Sequence, residues 1–235
     1  MIDCSRTHPP SKDSRAEHPW SETSLIQATC KIASDGAVAT PRQCGRHVLV
    51  EAMRGDPLRL EMERFVCATF ARVHEADIQS FMPTLLGLCG QRRGVCGVVG
   101  FRLAASEPLY LEHYLDQPVE AAIAARCNLP VRRDEIAEVG NLAGSSCRAA
   151  IHLVATLPHY LASRKQRWIV FTATSAVRSM LQRFDAPVFE LARADGACVS
   201  AAPDAWGRYY ENDPRVMAGF IPSGLLNPVF ARALP

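Results

Sequence analysis

Glu135-Ile-Ala-Glu138-Val-Gly-Asn141-Leu-Ala-Gly144-Ser-Ser-Cys147 decides how this chain is read. The run is apolar enough for a buried strand, yet it carries an acid and an amide and then hands over to glycine and serine where a helix opens. A neutral polar group taken out of water without a partner costs roughly 2–7 kcal/mol. Glu138 and Asn141 are therefore expected to be hydrogen-bonded, ligand-facing or both. A helix follows from about Ser146 to Leu161, and then a second apolar strand, Trp168–Thr174. Strand, helix and strand in such close succession predict a right-handed βαβ unit with neighbouring parallel strands.

Outward from this unit, Val48–Met53 reads as a strand and Pro57–His74 as an amphipathic helix, with Leu60, Phe65, Ala68 and Val73 near helical spacing. A second helix is predicted over Ile78–Cys89, a strand over Gly94–Ala104, a strand or strand end over Leu109–Leu115, and a helix over Pro118–Cys127 with proline in its first turn. Downstream lie a helix over Ser175–Phe184 and shorter elements at Val188–Ala192, Trp206–Tyr210 and Arg215–Ile221. Antiparallel-looking strands first and a parallel unit later predict an α+β fold on a mixed sheet of six or seven strands. Residues 1–44, rich in Ser, Thr, Pro, His and charge, read as a disordered or loosely attached tail, and residues 45–235 as a single domain.

The net charge of +2 comes without a basic stripe, which argues against nucleic-acid or anionic-membrane binding. Nine scattered cysteines form no Cys-x-x-Cys pair and no zinc-spaced Cys/His cluster, so they read as reduced thiols and no metal is expected. The first residues lack an apolar signal core and no run is long enough to span a bilayer, which predicts a cytoplasmic protein without stable membrane insertion.

Ligands of parallel strands bind at their carboxyl ends, and here those ends carry Asn141 on one strand and Thr172 and Thr174 on the other. The helix opening at Gly144-Ser145-Ser146 offers free backbone N–H groups and a dipole that favour an anion, unless Ser145 or Ser146 serves only as its cap. Glu138 is the candidate base; its alternative is a carboxylate pinned by Arg132 or Arg133. Tyr209 and Tyr210 beside Trp206 can donate a proton, line a pocket or simply pack. On the segment Glu112-His113-Tyr114, alternation along a strand would turn His113 away from the other two.

Four blocks in order, Leu111–Glu120, Glu138–Ala143, Phe171–Thr174 and Trp206–Glu211 with Pro214–Gly219, resemble the family named after thermostable haemolysins over about residues 47–221. That family is in turn similar to GNAT-type acyltransferases and acyl-homoserine-lactone synthases. The resemblance implies a GNAT-like fold with helices on both sheet faces, whose two central parallel strands splay around the pantetheine arm of an acyl-thioester donor. Glu138, Asn141 and Tyr210 would then be catalytic. Val139, Gly140, Gly144, Ser145, Ser146, Phe171, Thr172 and Thr174 would hold the donor, and Arg133, Glu112, Trp206 and Tyr209 the substrate. The donor would be acyl-CoA or the phosphopantetheine of an acyl carrier protein, and the acceptor a small amine. Asn141-Leu-Ala-Gly144-Ser-Ser has one glycine where the CoA-dependent loop has two, which makes a carrier-borne chain as plausible a donor as coenzyme A. The alternatives are a membrane-active, lytic protein and a non-catalytic module that binds an acyl carrier or metabolite.

Overall fold

The computed structural model describes residues 47–90, 94–199 and 203–227. The tail expected over residues 1–44 lies outside the described residues. The fold is α+β, built on a seven-stranded sheet of order β1-β2-β3-β4-β5-β7-β6. Its strands are β1 (His47–Ala52), β2 (Thr84–Gly90), β3 (Gly94–Leu103), β4 (Ile136–Gly144), β5 (Trp168–Ala173), β6 (Val188–Arg193) and β7 (Arg215–Phe220). The helices are α1 (Arg59–His74), α2 (Val119–Cys127), α3 (Cys147–Ser163), α4 (Ser175–Arg183) and α5 (Ile221–Leu225). Every neighbouring pair is antiparallel except β4 and β5, which run parallel and are joined by α3.

Helices cover both faces. On one, Met62, Val66 and Phe70 of α1 pack with Leu85, Val98 and Ala143, and Val119, Ile123 and Cys127 of α2 pack with Ile136, Trp168 and Val170. On the other, Leu153, Leu157 and Leu161 of α3 and Ile221 of α5 meet Leu86, Leu88, Val99, Phe101 and Ala137. At about 25 cal/mol per Å² of apolar surface, these layers supply the main driving force for folding. Arg59, only 5% exposed, donates to the carbonyls of Met82 (2.8 Å) and Pro83 (2.7 Å) and fixes the chain entering β2.

Two expectations are corrected. Ile78–Cys89 does not form a helix: Thr84–Gly90 is β2, paired to β1 and β3. Its leucines point alternately to α1 and α3, so both faces are buried and the strand reads as a continuous apolar run. Leu109–Leu115 is not a strand either, because Tyr110–Tyr114 winds into a 3₁₀ helix. Glu112 closes it locally, accepting the N–H of Leu109 at 3.0 Å and of Val119 at 3.1 Å. Strand alternation therefore does not separate His113 from its neighbours.

The opening run folds as β4 and the start of α3. Ser146 is the cap, its Oγ accepting the Ala149 N–H at 3.2 Å. Gly140 pairs with Gly100 and Ala143 with Val98, so Asn141 and Leu142 oppose Val99 alone, a β-bulge. Asn141 takes φ 51°, the left-handed conformation that asparagine tolerates better than most residues. Its Oδ1 accepts the Met82 N–H at 2.8 Å.

Candidate active site

Pairing between β4 and β5 lasts only from Ile136↔Trp168 to Val139↔Phe171. Past Val139, β4 continues to Gly144 along β3, while β5 pairs on with β7 and leads into α4. The strand edges that face each other across this gap have no ladder partner there. A cavity of about 250 Å³ opens at the gap, with Glu138, Val139, Gly140 and Asn141 on one side and Phe171, Thr172 and Thr174 on the other.

The walls differ in chemistry. Val154, Leu157 and Pro158 of α3, Val177 and Leu181 of α4, and Ile221 and Gly224 of α5 form an apolar arm that continues past Ile169 to Pro187 and Val188. Gly224 leaves open space where a side chain would stand. The opposite wall carries His74, Ser80, Arg102, Tyr110, Tyr114, Trp206 and Tyr209. Its aromatic rings form a connected group, with Tyr110–Trp206 at 5.9 Å, Trp206–Tyr209 at 5.3 Å and His74–Tyr209 at 5.3 Å between centroids.

Glu138 is 3% exposed, and its carboxylate is occupied on both oxygens. Oε2 accepts the Tyr110 N–H and Oε1 the Leu111 N–H, each at 2.9 Å, and Nε of Arg102 lies 3.2 Å from Oε2. Burial pushes its pKa up from the ordinary carboxylate value, against the opposing pull of these donors. The counter-charge is Arg102 on β3, its register partner, and not Arg132 or Arg133. Arg132 pairs with Asp134 at the surface.

Of the residues singled out from sequence, Glu138, Val139, Gly140, Asn141, Phe171, Thr172, Thr174, Trp206 and Tyr209 meet at this cavity. Gly144, Ser145, Ser146 and Tyr210 do not line it. Tyr210 stands behind the wall, its hydroxyl 2.7 Å from that of Tyr114, and burial pushes its pKa up to about 12. Ser145 donates its N–H to the Cys96 carbonyl at 2.9 Å. Arg133 and Glu112 lie away from the cavity and are tied to each other: Arg133 contacts Glu112 at 2.6 Å and Glu120 at 2.9 Å. The Arg133 guanidinium holds the Glu112 carboxyl at about 2.

Sequence reasoning missed Arg102, His74 and Tyr110, and weighed Tyr114 only as part of a strand with Glu112 and His113. An arginine inside the apolar run Gly94–Ala104 was a signal for Arg102, since a buried charge needs an opposite one. Reading Leu109–Leu115 as a strand hid the two tyrosines. Among the described residues, no three His, Cys, Asp or Glu side chains are grouped so as to hold a metal ion.

The fold is that of the GNAT-like acyl synthases. An N-acyl amino acid synthase, FeeM, from uncultured soil microbes aligns with a TM-score of 0.52 at 17% identity, over 83% of this chain and 100% of that one. A CoA-dependent acyl-homoserine lactone synthase, BjaI, solved with SAM and isopentyl-CoA, gives 0.55 at 13% identity over 80% and 89%. The AHL synthase LasI gives 0.50 at 12% over 75% and 91%. A search of curated proteins gave no match. The family model described as thermostable hemolysin matches residues 52–225, three quarters of the sequence. The four sequence blocks, the splayed parallel pair and this match agree: the chain belongs to the thermostable hemolysin family.

Proposed function

We propose that the protein is an N-acyltransferase that moves an acyl group from a thioester, carried by the phosphopantetheine of an acyl carrier protein or by CoA, to a small amine. One observation carries the reading: the parallel strands part after four residue pairs and open onto a cavity apolar on one wall and polar on the other. A pantetheine arm has amides to pair with the unladdered edges of β4 and β5, and an acyl chain needs the dry arm beneath α3 and α4. The first turn of α3, with Gly144, Ser145 and Ser146 ahead of it, suits the phosphate end through the N–H groups of Cys147 and Arg148, which precede the first intrahelical bond, from Ala150 to Ser146, while Ser146 caps Ala149. BjaI, described as CoA-dependent, is solved with isopentyl-CoA, a coenzyme A that carries a short alkyl chain on its sulfur.

Within this reading Val139 and Gly140 flank the thioester and Phe171, Thr172 and Thr174 form the facing wall. Asn141 fixes the bulge that turns β4 away from β5, and the amine enters past Trp206 and Tyr209. Glu138 positions Arg102 and the Tyr110–Tyr114 turn. Tyr210 acts through Tyr114, which it hydrogen-bonds. Arg133 and Glu112 brace the same turn from outside.

Purified protein incubated with acyl-CoA and acyl-carrier thioesters and a panel of amines should yield N-acyl product detectable by mass spectrometry. Replacing Val139 with Trp, which fills the gap, should abolish it. Leakage of dye from liposomes without any acyl product would overturn the proposal in favour of a lytic protein. Among the described residues no helix is long and apolar enough to cross a membrane.

A further inference from the structure

Aminolysis of a thioester requires that the amine lose a proton as it becomes an amide, so a group with a free lone pair must face the nucleophile. The titratable side chains on the cavity are His74, Arg102, Tyr110, Tyr114, Glu138 and Tyr209. Glu138 is committed to two main-chain donors and a guanidinium. Tyr114 and Tyr209 are pushed above the ordinary phenol pKa, by burial first.

The Tyr110 hydroxyl is buried without a partner, as one ring nitrogen of His74 is, but a neutral phenol is a far weaker proton acceptor than an imidazole, and that chemistry sets His74 apart. His74 is the last residue of α1, and the turn after β6 holds it in place. The His74 carbonyl accepts the Arg208 N–H at 2.7 Å, the Asp77 N–H reaches the Ala205 carbonyl at 2.9 Å, and Gly207, at φ 50°, lies tight against the His74 and Glu75 carbonyls. The ring stands edge-on to Tyr209, whose hydroxyl reaches the Thr172 carbonyl on β5, where the parallel pair parts. Its Nδ1 is buried with no hydrogen-bond partner, a condition that costs about 1–3 kcal/mol and calls for a reason.

We propose that the His74 imidazole is the base of the reaction, taking the proton released by the acceptor nitrogen as it adds to the thioester carbonyl. The inference rests on the acyl-transfer reading. The amine nitrogen forms a bond to the carbonyl carbon and gives one proton to His74. The carbon–sulfur bond then breaks, and the departing thiolate recovers a proton from the imidazolium or from water, leaving amide and free thiol. Burial lowers the ring's pKa below its ordinary value, which keeps it neutral and able to accept near pH 7. Of the titratable and charged groups, Tyr209 touches the ring, Tyr110, Tyr114 and Arg102 share its wall of the cavity, and Glu138 lines the same cavity from β4. Arg208 and Glu75 beside His74 pair with each other at 2.7 Å.

The test compares wild type with His74→Gln and His74→Ala on full-length protein, with acyl-CoA and acyl-carrier donors and a panel of amino acids and primary alkylamines. The expected result is a drop in kcat of roughly 100-fold or more, an unchanged KM for the donor, and loss of an inflexion in the pH–rate profile lying below the usual imidazole value. Added imidazole should restore part of the His74→Ala activity. If neither variant folds, the wild-type ring is titrated by NMR with and without amine, and its titration must shift. An active wild type with an unaltered profile in the variants, or a ring titration indifferent to the amine, overturns the assignment while leaving acyl transfer standing. A wild type inert toward every donor and amine overturns both.

Discussion

Asn141 does two things at once: its backbone stays in the left-handed region and its side chain satisfies the Met82 N–H. Asn141→Ala should therefore lose about 1–2 kcal/mol in urea denaturation, from the lost acceptor and the strained φ together. Asn141→Gly keeps the conformation and should lose less. Glu112 offers a pH test. Its carboxyl, ordinarily near 4.5, is held at about 2 in the folded protein by Arg133 and by main-chain donors. A depressed folded pKa gives stability that is fully present above the unfolded value and lost as pH falls toward the folded one. Wild type should thus lose more stability than Glu112→Gln between pH 4.5 and 2, read as the shift of denaturation midpoint. The sequence showed that Glu138 and Asn141 needed partners, because both sit in an apolar strand. It could not show which, since Arg102 is 36 positions upstream and meets Glu138 only through the β3–β4 register.

At the scale of elements, the join between the end of α1 and the Trp206–Tyr210 turn sets the polar wall of the cavity. Gly207 permits it, through a positive φ and a close approach to the His74 and Glu75 carbonyls that leaves no room for a Cβ. Gly207→Ala should lower the melting temperature by several degrees, since both the conformation and the contact are strained. The same change should weaken the shielding of the His74 ring, seen as an altered NMR chemical shift. Sequence pattern located α1, α2, α3 and α4 and the strands β1, β3, β4 and β5, because each has a clear period or a clean boundary, and marked β6 and β7 only as short elements. It failed at β2, where leucines buried on both faces carry no strand signature, and at Tyr110–Tyr114. That turn is made by the Glu112 side chain bonding to main chain on both sides of it, which no hydrophobic period records.

The whole molecule consists of two antiparallel half-sheets, β1-β2-β3-β4 and β5-β7-β6, stitched along one short parallel seam. Residue pairs within β2–β3 run from Thr84 to Gly90, whereas the seam spans Ile136 to Val139. Amides bridging the seam should therefore exchange hydrogen faster than those between β2 and β3, measurable by native-state exchange and mass spectrometry. Side-chain packing crosses that line: α2 packs against Ile136 of β4 as well as Trp168 and Val170 of β5, and the cluster under α3 holds Ala137 of β4 together with Ile169 of β5 and Ile221 of α5. The short seam thus leaves the two half-sheets joined by only four main-chain pairs, Ile136 to Val139 on Trp168 to Phe171, and the helices packed across it buttress the join as abutments hold an arch.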